Sequence, residues 1–192
     1  MVSLEDRMIS FMEKNGSISA EDEEIYRYAL KSTRILGGNI VLSAVIGFAM
    51  GAPWYCLLLL LAIIPLRSDA GGYHASNIWC CYVLSCLGLM LVLMWVKAEI
   101  PYQTAVTVCL AAVSSVFIFR YAPLPAENKP LNDCQKERIG KRARKITAVE
   151  LAAGLSCFLI DTKAAYTILS AIIWCAVGYI GWFIKKNVHK GV

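Results

Sequence analysis

Residues 67–86 read RSDAGGYHASNIWCCYVLSC, a polar stretch between two long apolar runs. The stretch contains His74, one of two histidines in the chain, and Cys81 at the start of the second apolar run. A thiol and an imidazole brought together can serve as a nucleophile and its base. In one unbroken helix they would lie about 10 Å apart along the axis, so a working pair requires the chain to turn. The adjacent Gly71 and Gly72 permit such a turn because glycine adopts backbone angles that other residues resist.

The composition excludes an ordinary soluble domain. Of the 192 residues, 58% are hydrophobic and only 17% are charged, whereas apolar residues make up about 45–50% of soluble proteins. We therefore predict an all-α, polytopic integral membrane protein that lies in the lipid bilayer. Charged residues at positions 5–7 stand where a cleavable signal would begin, so we expect the first hydrophobic segments to direct the chain to the membrane.

Residues 1–35 are predicted to form two amphipathic helices at the cytoplasmic membrane surface. The first has apolar residues at helical spacing, namely Leu4, Met8, Phe11 and Met12. Gly16 stands where that helix would stop, and Ser19 is a suitable N-cap for the second. Two roles remain open for the pair: it shields the membrane domain, or it grips a substrate or a partner subunit.

The rest of the chain, residues 36–192, is predicted to be the membrane domain. It contains six apolar segments, at about 36–50, 53–66, 78–96, 101–119, 146–160 and 164–184. The first two are separated only by Gly51-Ala52-Pro53, which we interpret as a tight turn. Each has about 14 or 15 residues, or near 22 Å of helix, against a hydrocarbon core of about 30 Å. These two helices are therefore expected to be short, and to need local thinning or shelter from their neighbours.

Positive charge fixes the expected orientation, because Lys and Arg near membrane ends favour the cytoplasm. Residues 120–145 are predicted to be a basic cytoplasmic loop, with Lys136, Arg138, Lys141, Arg142, Arg144 and Lys145. Both termini and the stretch 67–86 are then cytoplasmic as well. The basic residues have two interpretations: a topology signal that contacts anionic lipid, or a surface that attracts an acidic peptide.

Four residues of the polar stretch are candidates for a supporting role in catalysis, namely Arg67, Asp69, Gly71 and Gly72. Backbone amides near the glycines or at the helix start would hold an oxyanion. Asp69 would either orient the imidazole, or pair with Arg67 or remain solvated. No metal and no other cofactor is expected, because the second histidine, His189, is remote and a zinc site usually needs three or four ligands.

The polar stretch also resembles a family signature. Its pattern is Arg67, then Gly71-Gly72-Tyr73-His74-Ala75, then Cys81, and it resembles that of the accessory gene regulator B (AgrB) family. Members of this family are membrane-embedded cysteine endopeptidases of bacterial quorum sensing. A second stretch of the family is similar to Pro123, Pro125 and Asn128-Lys129-Pro130-Leu131. The likeness extends over nearly the whole chain.

The resemblance implies a function and assigns roles. Cys81, in preference to its neighbour Cys80, would be the nucleophile, and His74 the general base and acid. The substrate would be a short AgrD-like propeptide, whose acidic C-terminal tail is cleaved off through a thioester. The remaining peptide would be released as a cyclic thiolactone or lactone. The resemblance further implies a homodimer in the bacterial cytoplasmic membrane, with no nucleic-acid partner.

Two other function classes stay open from the sequence. A peptide transporter or exporter subunit would bind a peptide without cutting it, and a structural membrane adaptor would need neither His74 nor Cys81. Transporters often place charged groups inside their membrane spans. Because the predicted spans are nearly free of charge and the reactive residues lie at the membrane edge, the protease is favoured.

Overall fold

The protein folds into α-helices connected by short segments. A computed structural model describes residues 4–15, 23–71, 78–124 and 132–190, and in these ranges it contains seven helices and no strand. The helices are α1 Leu4–Lys14, α2 Glu23–Ala49, α3 Pro53–Ala70, α4 Ile78–Lys97, α5 Gln103–Tyr121, α6 Asp133–Cys157 and α7 Thr162–Lys190. Five of them, all but α1 and α6, are long and apolar enough to cross a membrane. The predicted fold class, an all-helical multi-pass membrane protein, is confirmed.

The chain divides into two compact units, Met1–Leu42 and Ser43–Val192. In the first unit, Arg27 of α2 forms ion pairs with Asp6 of α1 and, at 2.7 Å, with Glu23 of its own helix. The predicted stop at Gly16 and N-cap at Ser19 lie outside the described residues. Helix α2 runs without a break through Leu36, so the second polar helix and the first apolar segment form one element.

In the second unit, the turn predicted at residues 51–53 separates α2 from α3. Gly51 has a φ of 61°, and α3 begins at Pro53. Helix α3 continues past Leu66 to Ala70, and its 18 residues give about 27 Å of helix. It is longer than predicted because the apolar run ends at Leu66 while the helix continues through polar residues to Ala70. Arg67 and Asp69 are therefore helical residues.

Helix α7 lies at the centre of the second unit. Its buried side chains include Leu169, Ile172 and Tyr179, none of which has exposed surface. Helices α3, α5 and α6 pack around it. Large apolar side chains elsewhere in the second unit are exposed, Trp79 and Leu91 among them. Exposed apolar surface of this kind is suited to contact with lipid.

The basic stretch is not the loop that we predicted. Residues 133–145 form the first half of α6, which continues to Cys157. The backbone N–H of Asn132 donates to Gln135 Oε1 at 3.4 Å, which is one half of a capping box. Glu137 and Lys141, four residues apart, form an ion pair of 2.7 Å that supports the helix. The prediction placed a loop here because the stretch lies between two apolar segments, a criterion that does not distinguish a polar helix from a loop.

Candidate active site

The nucleophile predicted from the sequence lies on α4. Cys81 is the fourth described residue of this helix, which is described from Ile78 to Lys97. Cys81 is partly buried and Cys80 is exposed. His74 and Gly72 lie outside the described residues, so the pairing of Cys81 with His74 stays a prediction.

Helix α4 is held against the central helix by a close approach. A Cβ atom at Gly88 would overlap the indole ring of Trp174 in α7, so only glycine fits at this position. Near the C-terminal end of α4, Trp95 Nε1 donates to Thr107 Oγ1 of α5 at 3.0 Å. Because Gly88 is two helical turns from Cys81, these contacts determine where the thiol lies relative to α7.

Asp69 pairs with α6. Its carboxylate lies 3.3 Å from Arg142 Nε, and its side chain is only 12% exposed while that of Arg142 is 66% exposed. The ion pair links the end of α3 to the basic helix. Arg142 is thus a partner of Asp69 that the sequence analysis did not predict, and Arg67, two residues before Asp69, is partly buried.

The end of α3 is fixed in position next to the segment after α5. Gly71 has φ 77° and ψ −160°, and a Cβ atom there would lie 2.7 Å from the carbonyl oxygen of Leu124. The carbonyl oxygen of Ala70 accepts hydrogen bonds from Leu124 N, at 3.0 Å, and from the hydroxyl of Tyr179, at 2.8 Å. Three elements therefore converge where the chain enters residues 72–77.

All six predicted basic residues are exposed on α6. Arg138 and Lys145 project from the face opposite the buried stripe of Gly140, Ala143 and Thr147. The ammonium group of Lys141 holds the pKa of Glu137 below its ordinary value through a hydrogen bond. Among the described residues, no ion pair involves Lys136, Arg138, Arg144 or Lys145. These four cations are open to an anionic partner.

Comparison with known proteins identifies the family. The family model described as Accessory gene regulator B matches residues 5–179. This chain belongs to the accessory gene regulator B family. The accessory gene regulator protein B of Staphylococcus carnosus is 28% identical over 139 residues, which cover 71% of this chain and 70% of that protein. That of Staphylococcus saprophyticus is 26% identical over 133 residues, 69% of each chain. No solved structure matches the chain significantly.

Membership of the accessory gene regulator B family confirms the resemblance inferred from residues 67–86. It gives the chain a role in the accessory gene regulator quorum-sensing system. The family match includes Cys81, the basic half of α6 and α7 as far as Tyr179. The hydroxyl of Tyr179 was not predicted to take part in the site. The signal available in the sequence was a phenol inside an apolar run, which needs a hydrogen-bond partner when it is buried.

Glu150 is a second residue that the sequence analysis of this accessory gene regulator B protein missed. It lies on the buried stripe of α6 and is 8% exposed, and neither carboxylate oxygen has a hydrogen-bond partner among the described residues. The signal was present, since Glu150 is an acidic residue inside the apolar segment predicted at 146–160. The predicted spans are therefore not free of charge.

The cysteine, histidine and acidic side chains of the described part of this accessory gene regulator B protein are dispersed over its helices. Residues 4–15, 23–71, 78–124 and 132–190 contain no group of three His, Cys, Asp or Glu side chains that could hold a metal ion. All eight cysteines are within these ranges, and each is a free thiol.

Proposed function

We propose that this protein is a membrane-embedded cysteine endopeptidase that cleaves the C-terminal tail from a short AgrD-like propeptide. The position of Cys81 carries the proposal. This thiol belongs to the fourth described residue of α4 and is partly accessible, in a chain of the accessory gene regulator B family. The positive end of a helix and its free amides favour a thiolate. His74, seven residues earlier, is the proposed base.

The first chemical step is attack on a peptide carbonyl. The Cys81 thiol passes its proton to His74, and its sulfur bonds to the carbonyl carbon of the propeptide. Backbone amides near Gly71, Gly72 or the start of α4 hold the oxyanion. The C–N bond then breaks, and His74 gives the proton to the leaving amine of the acidic tail. The remaining peptide is left on Cys81 as a thioester.

The second step releases the peptide as a ring. A Cys thiol or Ser hydroxyl within the bound peptide loses its proton to His74 and attacks the thioester carbonyl. The bond to Cys81 breaks, the sulfur recovers the proton, and a thiolactone or lactone leaves. A nucleophile tethered to the same peptide competes well against water, because its effective concentration is high.

Orientation and assembly are part of the proposal. We place both termini, residues 67–86 and the basic half of α6 at the cytoplasmic face of the bacterial membrane. The support is the positive charge of α6 and of Lys185, Lys186 and Lys190. The resemblance adds a homodimer, which cross-linking in native membranes would detect as a species of twice the chain mass.

A direct experiment is co-expression with the propeptide encoded beside this chain, followed by mass spectrometry of intact protein and peptide. We expect a shortened cyclic peptide, a released C-terminal tail, and an acyl adduct whose mass is recovered on the tryptic fragment containing Cys81. Reconstituted protein that yields only linear hydrolysed peptide would contradict the cyclisation step. Protein that produces no cleavage at all would contradict the endopeptidase.

The basic helix is proposed to attract the acidic tail of the substrate. Changing Arg138 and Lys145 together to glutamine removes two open charges, and each exposed ion pair is worth roughly 0.2–1 kcal/mol. We expect KM to rise about 2- to 30-fold at low ionic strength, with kcat unchanged. The difference should disappear at about 1 M salt, where the Debye length is about 3 Å.

The matched control keeps the charges at the same positions. The double variant Arg138→Lys with Lys145→Arg should retain the KM of the unmodified protein. If the glutamine variant also retains it at low salt, the basic face serves membrane topology or lipid contact instead of substrate capture.

A peptide transporter remains a second candidate, and Glu150 is the observation that favours it. Buried carboxylates inside membrane bundles often mark a transport pathway. If the protein is an endopeptidase, Glu150→Gln should leave tail cleavage within about twofold, since the side chains are nearly isosteric. If it is a transporter, the same variant should stop the appearance of peptide outside the cell, as measured in the culture medium.

A further inference from the structure

Two hydrogen bonds converge on the last carbonyl group of α3. The carbonyl oxygen of Ala70 accepts from Tyr179 Oη, at 2.8 Å, and from the backbone N–H of Leu124, at 3.0 Å. The final carbonyl groups of a helix have no partner within it, so they must be satisfied from outside. Here the partners come from α7 and from the segment after α5. Both Ala70 and Tyr179 are fully buried.

The fully buried side chain of Tyr179 belongs to a cluster that surrounds this carbonyl group. The same cluster contains Leu66 and Ala70 of α3, Leu124 from the segment after α5, and Ala143 of α6. Packing thus fixes the ring of Tyr179. Its hydroxyl donates to the Ala70 carbonyl oxygen, which has no partner within α3. Because packing already orders the ring, the hydroxyl loses less conformational entropy on forming this hydrogen bond than a flexible donor would.

Gly71, the residue after Ala70, is held in place by backbone contacts of its own. Gly71 N donates to Arg67 O at 3.1 Å, and Gly71 lies against the backbone of Leu124. The direction in which the chain leaves α3 is therefore set by the contacts of Ala70 and Gly71 with Arg67 and Leu124. His74 follows Gly71 by three positions in the sequence, so a rotation of the Ala70–Gly71 peptide group would change where the chain carries the imidazole.

We infer that Tyr179 is a positioning residue for the proposed catalytic stretch, and that it acts through the Ala70 carbonyl group, which it holds in place for the chain leading to His74. This inference rests on the proposed endopeptidase function. It assigns a role in the reaction to the last membrane helix, more than 90 positions from Cys81 in the sequence.

The chain offers a matched pair of variants. Tyr166 lies on the same helix, is also buried, and shares a hydrogen bond of 2.7 Å with Thr104 Oγ1. Tyr179→Phe and Tyr166→Phe each remove one hydroxyl from α7 and one hydrogen bond between elements. Only Tyr179 contacts the end of α3. A purely structural role predicts equal effects of the two substitutions.

The test is single-turnover cleavage of the propeptide by full-length protein in vesicles, with thermal unfolding measured on the same samples. We expect Tyr179→Phe to slow acylation of Cys81 by about 10- to 100-fold with little change in KM, as small displacements of catalytic groups do. Tyr166→Phe should stay within about twofold. The melting temperatures of the two variants should fall by similar amounts.

A second measurement covers the case in which Tyr179→Phe folds poorly. Iodoacetamide modification of Cys81 at neutral pH, followed by peptide mapping of the monodisperse fraction, reports the formation of thiolate by the proposed base His74. Slower modification in Tyr179→Phe than in Tyr166→Phe supports the inference. Equal modification in the two variants overturns it.

The outcomes separate this inference from the proposed function. If Cys81→Ser cleaves as well as the unmodified protein, the endopeptidase assignment fails and the positioning role fails with it. If Cys81→Ser is inactive while the two tyrosine variants are equally active, only the positioning role of Tyr179 is overturned.

Discussion

Replacing Cys81 by serine is expected to reduce release of the propeptide tail by at least about 10³-fold, as loss of a nucleophile does in other proteases. A hydroxyl group is a far weaker nucleophile than a thiolate at neutral pH. No acyl adduct should remain on the protein. His74→Ala should cause a loss of similar size, because the thiol then has no proposed base. Mass spectrometry of protein and peptide after co-expression measures both effects.

Cys80 supplies the internal control for this prediction. It is adjacent in sequence, but its side chain points about 100° away around the helix, and it is exposed. Cys80→Ser should therefore process peptide at nearly the unmodified rate. The nucleophile would have to be reassigned if Cys80→Ser were the inactive variant and Cys81→Ser the active one.

The second large effect is expected at Gly71. Its backbone angles, φ 77° and ψ −160°, lie in a region that is essentially restricted to glycine, and forcing another residue there costs of order 1–3 kcal/mol. In Gly71→Ala the new methyl group would also lie 2.7 Å from Leu124 O. The end of α3 must shift, and we expect cleavage to fall by about 100-fold or more, as misplacement of catalytic groups can cause.

A glycine in open surroundings serves as a control for the glycine-to-alanine substitution itself. Gly37 lies within α2, and a Cβ atom there would meet nothing within 4 Å. Gly37→Ala should retain full cleavage activity and equal or higher thermal stability, because alanine favours the helix by about 1 kcal/mol. If Gly71→Ala were as active as Gly37→Ala, the fixed end of α3 would have no part in the reaction.

Much of this fold can be predicted from local sequence. Long apolar segments indicate membrane helices whatever their neighbours are, and Gly51 followed by Pro53 marks a turn within a run that has no other interruption. The start of α4 near residue 78 follows from the change from polar to apolar residues. These features depend on residues close together in the chain, so the pattern alone is sufficient.

The remainder depends on contacts between distant residues. Tyr179 and Ala70 are separated by 109 positions, and no spacing rule relates them. The same holds for Arg142 and Asp69, whose pairing could be recognised only once α6 was known to be a helix packed on α3. The helical state of residues 133–145, by contrast, had local signals that the sequence analysis did not use, namely a capping pattern at Asn132 and Gln135 and a Glu137–Lys141 pair four residues apart.

Helix α6 has a consequence for how the protein is made. Its apolar half, residues 146–157, provides only about 18 Å of helix, too little for a hydrocarbon core of about 30 Å, and it includes Glu150. Gly154 packs directly against Leu169 of α7, and Asp161 caps the short turn between the two helices by accepting from Lys163 N at 2.8 Å. We therefore expect α6 to enter the membrane only together with α7, as a helical hairpin, so a chain that ends before α7 should leave α6 outside the bilayer.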